Sequence, residues 1–135
     1  MKKLLSTGYT DWAFNIALLV LRVGMGLMML SHGYNKLVHF STMKNKFMNF
    51  LGMGSTVSLS LSLFAELFCA VFVIIGLFTR FSVLPLVIGM SVALFKAHNA
   101  AIFGDGEKAA LYLAGFIVIL LVGPGKASVD GMMGK

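Results

Sequence analysis

The sequence predicts an all-α integral membrane protein: a bundle of four transmembrane helices, with a short amphipathic interfacial helix between helices 1 and 2. Three observations carry that expectation. First, 59% of the 135 residues are hydrophobic and only 12% are charged, with a mean hydropathy of +0.92. A soluble domain is usually nearer half apolar and a quarter charged, and a chain this short cannot hide so much apolar surface from water. Second, apolar stretches long enough to cross a bilayer recur along the chain. Third, the few charges inside them are isolated.

The first span is expected over about 12–32, with Arg22 its one interior charge. Twenty residues at about 1.5 Å each rise roughly 30 Å, the thickness of a bilayer core. Trp12 and Tyr34 flank it as interfacial anchors. The second span, about 56–78, also holds one charge, Glu66. Thr79-Arg80-Phe81-Ser82 is the only polar break before the third span, which forces an antiparallel hairpin. The third is expected over about 82–103, with Ser82 as N-cap and Pro85 in the first turn, where its missing N–H costs nothing. Lys96 and His98 fall near its exit. The fourth, about 107–122, is stopped by Gly123-Pro124-Gly125. Both termini then lie on one side.

The long connection is not an ordinary polar loop. Phe40, Met43, Phe47 and Phe50 or Leu51 recur at helical spacing, opposite Lys44, Lys46 and Asn49. That pattern fits a short helix over about 40–52 lying in the interface plane, with a re-entrant segment as the alternative. Lipid gives helices no hydrophobic reason to associate, so stripes of small residues are the expected contact faces. The first span offers Gly24, Gly26 and Gly33, the second Ser58, Ser62, Ala65 and Cys69, and the third Gly89, Ala93, Ala97 and Ala101.

The formal net charge of +6 comes from scattered cations with no aromatic interleaving, so no nucleic-acid partner is expected. The bland account is flanking charge at the headgroup level. Cations divide almost evenly between the two sides, so the positive-inside rule assigns no orientation. Cys69 is the sole cysteine, which excludes an intrachain disulfide or a dithiol relay. Ser6, Thr7, Gly8, Thr10 and Asp11 interrupt any secretory h-region, and the chain is expected to keep its N-terminus.

Two polar constellations are candidates for function. Arg22 and Glu66 each lie about ten residues into their spans, so they are expected to meet near the midplane as an ion pair, either a clasp or a proton- or anion-handling site. At one membrane exit, His32 and Lys36 are expected to approach Lys96 and His98 as a quinone- or anion-binding group. No ligand spacing suggests a metal site, and no catalytic residue is assigned.

The order of motifs resembles the DoxX family of small four-helix bacterial membrane proteins. Leu21-Arg22-Val23-Gly24-Met25-Gly26, then His32-Gly33 and Lys36-Leu37, resembles its first helix. Ala65-Glu66-Leu67 and Gly76-Leu77-Phe78-Thr79-Arg80 resemble its second helix and turn, and residues 90–98 its third. Gly123-Pro124-Gly125-Lys126 with Ser128-Val129-Asp130 resembles its closing signature. Phe68-Cys69-Ala70 departs from the glycine-rich step expected after the glutamate. The resemblance implies a multi-pass protein of the bacterial inner (cytoplasmic) membrane. The family is named from a subunit of an archaeal thiosulfate:quinone oxidoreductase, and members are associated with membrane redox and oxidative-stress complexes. Arg22, His32, Lys36, Glu66, Arg80, His98 and Asp130 match its polar motifs.

Two functions follow as expectations. One is a redox-associated, quinone-linked membrane subunit. Without paired cysteines or a flavin fingerprint, its electrons would come through quinone alone or from a redox partner subunit. The other is a non-catalytic scaffold or assembly factor for a partner complex. The lipid bilayer and a homo-oligomer complete the expected partners. A carrier is disfavoured, because four short helices without repeats leave little room for alternating access.

Overall fold

The computed structural model describes residues 4–43, 52, 54–97, 104 and 106–134, with the backbone alone at 43, 96 and 97. These residues form helices and no strand. Helix α1 (Asp11–Val38) begins where the Thr10 hydroxyl accepts the Ala13 N–H at 3.1 Å, a side-chain cap that satisfies one of the free donors of the first turn. It outruns its expected span by a turn and a half, so Gly33 and Lys36 belong to it. Leu18, Arg22, Gly26, Met29 and Gly33 are its buried residues, three or four apart and therefore on one face. After the short α2 (Phe40–Met43), most of the expected interfacial segment over 40–52 lies outside the described residues.

The second long helix runs continuously over Ser55–Ile75. It comprises α3 (Ser55–Phe64), a π-helical turn (Ala65–Cys69) and α4 (Ala70–Ile75). Gly76 ends it at φ +75°. The Leu77 N–H bonds Phe72 O at 2.9 Å and the Gly76 N–H bonds Val73 O at 3.2 Å, the paired bonds of a Schellman ending. Helix α5 (Thr79–Val92) follows at once and continues into a second π turn (Ala93–Ala97). It starts three residues before the expected Ser82 cap, so Pro85 is inside the helix. The reason lies elsewhere in the chain: the Asp130 carboxylate accepts the Phe78 and Thr79 N–H groups, both at 2.9 Å. Helix α6 (Glu107–Val122) and the short α7 (Val129–Met132) complete the elements.

Helix α1 packs chiefly on α4, and α5 on α6, with α6 also touching α1. Met29, Ala70, Val73, Val83, Leu86, Phe116 and Ile119 fill the centre. The outside is apolar too: Val20, Phe68, Phe81, Ile88 and Leu121 are each more than half exposed. A surface of that kind suits lipid rather than water. Two helices, Asp11–Val38 and Ser55–Ile75, are long and apolar enough to cross a membrane, and Thr79–Phe95 is a shorter apolar helix.

The small-residue stripes divide. A side chain on Gly26 would run into Ile74 and Ala70, and one on Gly33 would stand 2.8 Å from Glu66 Cβ. These two glycines bring α1 close to its neighbour. Gly24 and Gly89 face open space, so the expectation that they form contact faces is corrected. Ala101 lies outside the described residues.

Candidate functional site

The close approach at Gly26 and Gly33 fixes the register of α1 against the second helix, and the register decides which charges meet. Gly33 lies against Glu66 and Leu67, while Arg22 lies against Gly76. The expected Arg22–Glu66 ion pair is therefore corrected. Counting residues from the start of each span assumed that the helices begin flush. Instead α1 is shifted along its neighbour, and its two buried polar centres are ten or more residues apart, roughly 15 Å along the axis.

The first centre is a clasp. Arg22, 1% exposed, donates from Nη2 to Ala127 O at 2.6 Å, and it feels the charge of Asp130. Arg22 Nε and Nη1 have no hydrogen-bond partner among the described residues. Asp130 holds the turn before α5 through the two backbone bonds already given and through the Thr79 hydroxyl at 3.0 Å. Its own N–H returns to Gly76 O at 2.8 Å. The Ser128 hydroxyl accepts the Gly131 N–H at 2.9 Å, and Asn15 Oδ1 accepts the Lys126 N–H at 2.8 Å. Arg80 donates to Leu121 O and Val122 O, both at 3.3 Å, the carbonyls left over at the end of α6. Gly123 and Gly125, at φ +95° and +80°, let the chain around Pro124 double back. The 123–130 segment thus ties α1, α5 and α6 together at one end.

The second centre is built from a pair and a gap. His32 and Lys36 are four apart on α1, hence on one face, and Gly33 beside them leaves room for the π turn that carries Glu66. π turns inside α-helices are frequent at functional sites. The Glu66 side chain is 2% exposed, and its Oε1 meets Lys36 Nζ at 2.7 Å and His32 Nδ1 at 3.3 Å. Lys36 Nζ also donates to the Ser62 hydroxyl at 2.9 Å, which itself stands 3.4 Å from Oε1. Glu66 Oε2 is buried with no hydrogen-bond partner among the described residues. Tyr112 of α6 completes the surroundings: its ring lies 6.5 Å from that of His32 and stacks on Phe116.

Two grooves open beside this centre. The larger, about 830 Å³, has apolar walls from Met25, Leu27, Met28 and Leu111, with Ser31, His32, Tyr34, Asn35, Lys108 and Tyr112 as its polar groups. The smaller, about 380 Å³, is lined by His32, Asn35, Lys36, His39 and Thr42. Such a setting can hold an amphipathic molecule by its head, and it offers a carboxylate and an imidazole in contact for proton exchange.

Of the residues singled out in the sequence, His32, Lys36 and Glu66 come together, and Arg22, Arg80, Gly123, Pro124, Gly125 and Asp130 form or border the clasp. His98 and the Lys96 side chain lie outside the described residues. Sequence reasoning missed the Lys36–Glu66 contact and the part of Tyr112. The signal for the first was present, in a small residue between two polar ones at helical spacing. Among the described residues, no three His, Cys, Asp or Glu cluster as a metal site would need. Cys69 is free and buried.

A helical structure with an apolar exterior along its long helices and buried polar centres between them belongs to the class of small helical membrane proteins. Its family model is that of DoxX, matched over residues 17–99, more than half of the chain. The chain belongs to the DoxX family. That match contains Arg22, His32, Lys36, Glu66 and Arg80 and ends before the closing clasp. No curated protein and no solved structure matches the chain.

Proposed function

We propose that this DoxX-family chain is a four-span, quinone-linked subunit of the bacterial inner membrane, with the larger groove as its quinone site. The observation that carries the reading is Glu66. A buried carboxylate with one oxygen held by Lys36 and His32 and the other without a donor stands beside an amphipathic groove. An unpaired buried acceptor is costly, and His32, which lines the groove and contacts Glu66, links that carboxylate to a quinone bound there. His32 and Tyr112 could donate to a quinone carbonyl, while Met25, Met28 and Leu111 give apolar walls for ring and tail. A volume of about 830 Å³ suits a small-molecule site. Bound there, quinone would supply two-electron, two-proton chemistry, with electrons coming from a partner subunit. Lys36 holds the Glu66 charge in place, and Ser62 orients Lys36.

Four spans require α5 with its π extension and the 16-residue α6 to cross as well. Sixteen residues rise roughly 24 Å, a shortfall that local thinning of the bilayer accommodates.

The test is the lipid extract of the purified protein, read by mass spectrometry for wild type, Glu66→Gln and His32→Ala. Quinone should accompany wild type and be lost from both variants. Absence of quinone from wild type, together with no binding of added quinone, refutes the reading. The second reading, a non-catalytic scaffold or assembly factor, is favoured by the resemblance of the Lys36–Glu66 contact to the purely structural clasp at the other end. It predicts capture of one defined partner complex, unchanged in Glu66→Gln.

A further inference from the structure

His32 lines both grooves. Its side chain is 43% exposed, whereas that of Glu66 is 2% exposed, so a proton bound for Glu66 must pass another side chain. Lys36 is a poor carrier, because its ammonium is engaged by Glu66 and Ser62 at 2.7 and 2.9 Å and losing its proton would remove the charge that holds the carboxylate. Tyr112 lines only the larger of the two grooves. His32 and Lys36 both touch Glu66 and line the smaller groove, but of the two only imidazole can take a proton on one nitrogen while releasing one from the other.

We propose that His32 is the proton relay between the smaller groove and Glu66. A hydronium ion in that groove gives its proton to Nε2 and leaves as water. The Nδ1 proton then passes over 3.3 Å to Glu66 Oε1, leaving an imidazole protonated on Nε2 and a neutral carboxylic acid. The ring resets when Nε2 returns a proton to water and Nδ1 takes one from water. The titratable groups around His32 are Glu66 on the π turn, Lys36 on α1, Lys108 and Tyr112 of α6 in the larger groove, and His39 in the smaller one. The relay rests on the quinone reading for its use but not for its existence, and its test contains no quinone.

The protein in nanodiscs is given a light-released proton, and the C=O stretch of a protonated carboxyl is followed by time-resolved infrared spectroscopy. Glu66 is identified by a band absent in Glu66→Gln and shifted in Glu66→Asp. In His32→Asn and His32→Ala the band should rise about tenfold or more slowly, the scale of a lost proton-transfer group. Added imidazole should restore the rate in His32→Ala in proportion to its concentration, which a purely structural role would not produce. A rate unchanged in His32→Asn, no rescue of His32→Ala, or no band that depends on Glu66 overturns the proposal.

Discussion

Asp130 gives the sharpest test of how the bundle is closed. The residue is 5% exposed, and its carboxylate accepts hydrogen bonds of 2.9 to 3.0 Å from Phe78 N, Thr79 N and the Thr79 hydroxyl. Asp130→Asn keeps the shape and one acceptor but turns an NH2 towards a backbone N–H, and it removes the charge near Arg22. A hydrogen bond to a charged group contributes ~1.5–3 kcal/mol, so the loss should be about 2–4 kcal/mol. Thr79→Val removes a single hydroxyl bond between helical segments and should cost about 0.6 kcal/mol, at most ~1.7. Unfolding free energies measured in bicelles by steric trapping separate the two. If Asp130→Asn costs no more than Thr79→Val, the carboxylate is not what sets the start of α5, and the account of the clasp is wrong.

The Lys36–Glu66 contact should show itself in a double-mutant cycle: Lys36→Met and Glu66→Gln each destabilise, and together they cost less than their sum by ~0.5–3 kcal/mol, whereas additive effects would refute direct contact. Gly26→Ala should destabilise strongly, because its new methyl meets Ile74 and Ala70. Gly24→Ala, facing open space, should be neutral or stabilising by up to about 1 kcal/mol, and equal effects in thermal melts would contradict the helix register. For the four-span topology, single cysteines at Ser6 and Met133 in a Cys69→Ser background should react with an impermeant thiol reagent from the same side of vesicles. Labelling from opposite sides would require an odd number of crossings.

The parts of the molecule legible in the sequence are those written locally. The end of α6 needs only Gly123-Pro124-Gly125, and the family is carried by short motifs in order, which the match over 17–99 bears out. The parts that were not legible depend on contacts far along the chain. Ser82 followed by Pro85 looks like a helix start, yet Asp130, some fifty residues later, begins α5 at Thr79. Likewise, Arg22 and Glu66 sit at similar depths counted from the ends of their spans, but depth is set by which residues allow close approach. Gly26 and Gly33 do, Gly24 does not, and nothing in their immediate neighbours tells them apart.

The bond from Arg22 to Ala127 spans 105 residues, which has a meaning in time. At 5–20 residues per second, synthesis of that interval takes about 5–20 s. During that wait the guanidinium is already part of α1 while the carbonyl and carboxylate that will settle it do not yet exist. A charge stranded in a nascent membrane helix is an expensive and visible thing. The closing segment therefore satisfies Arg22 last, and a chain that stops before Ala127 keeps its guanidinium without that carbonyl.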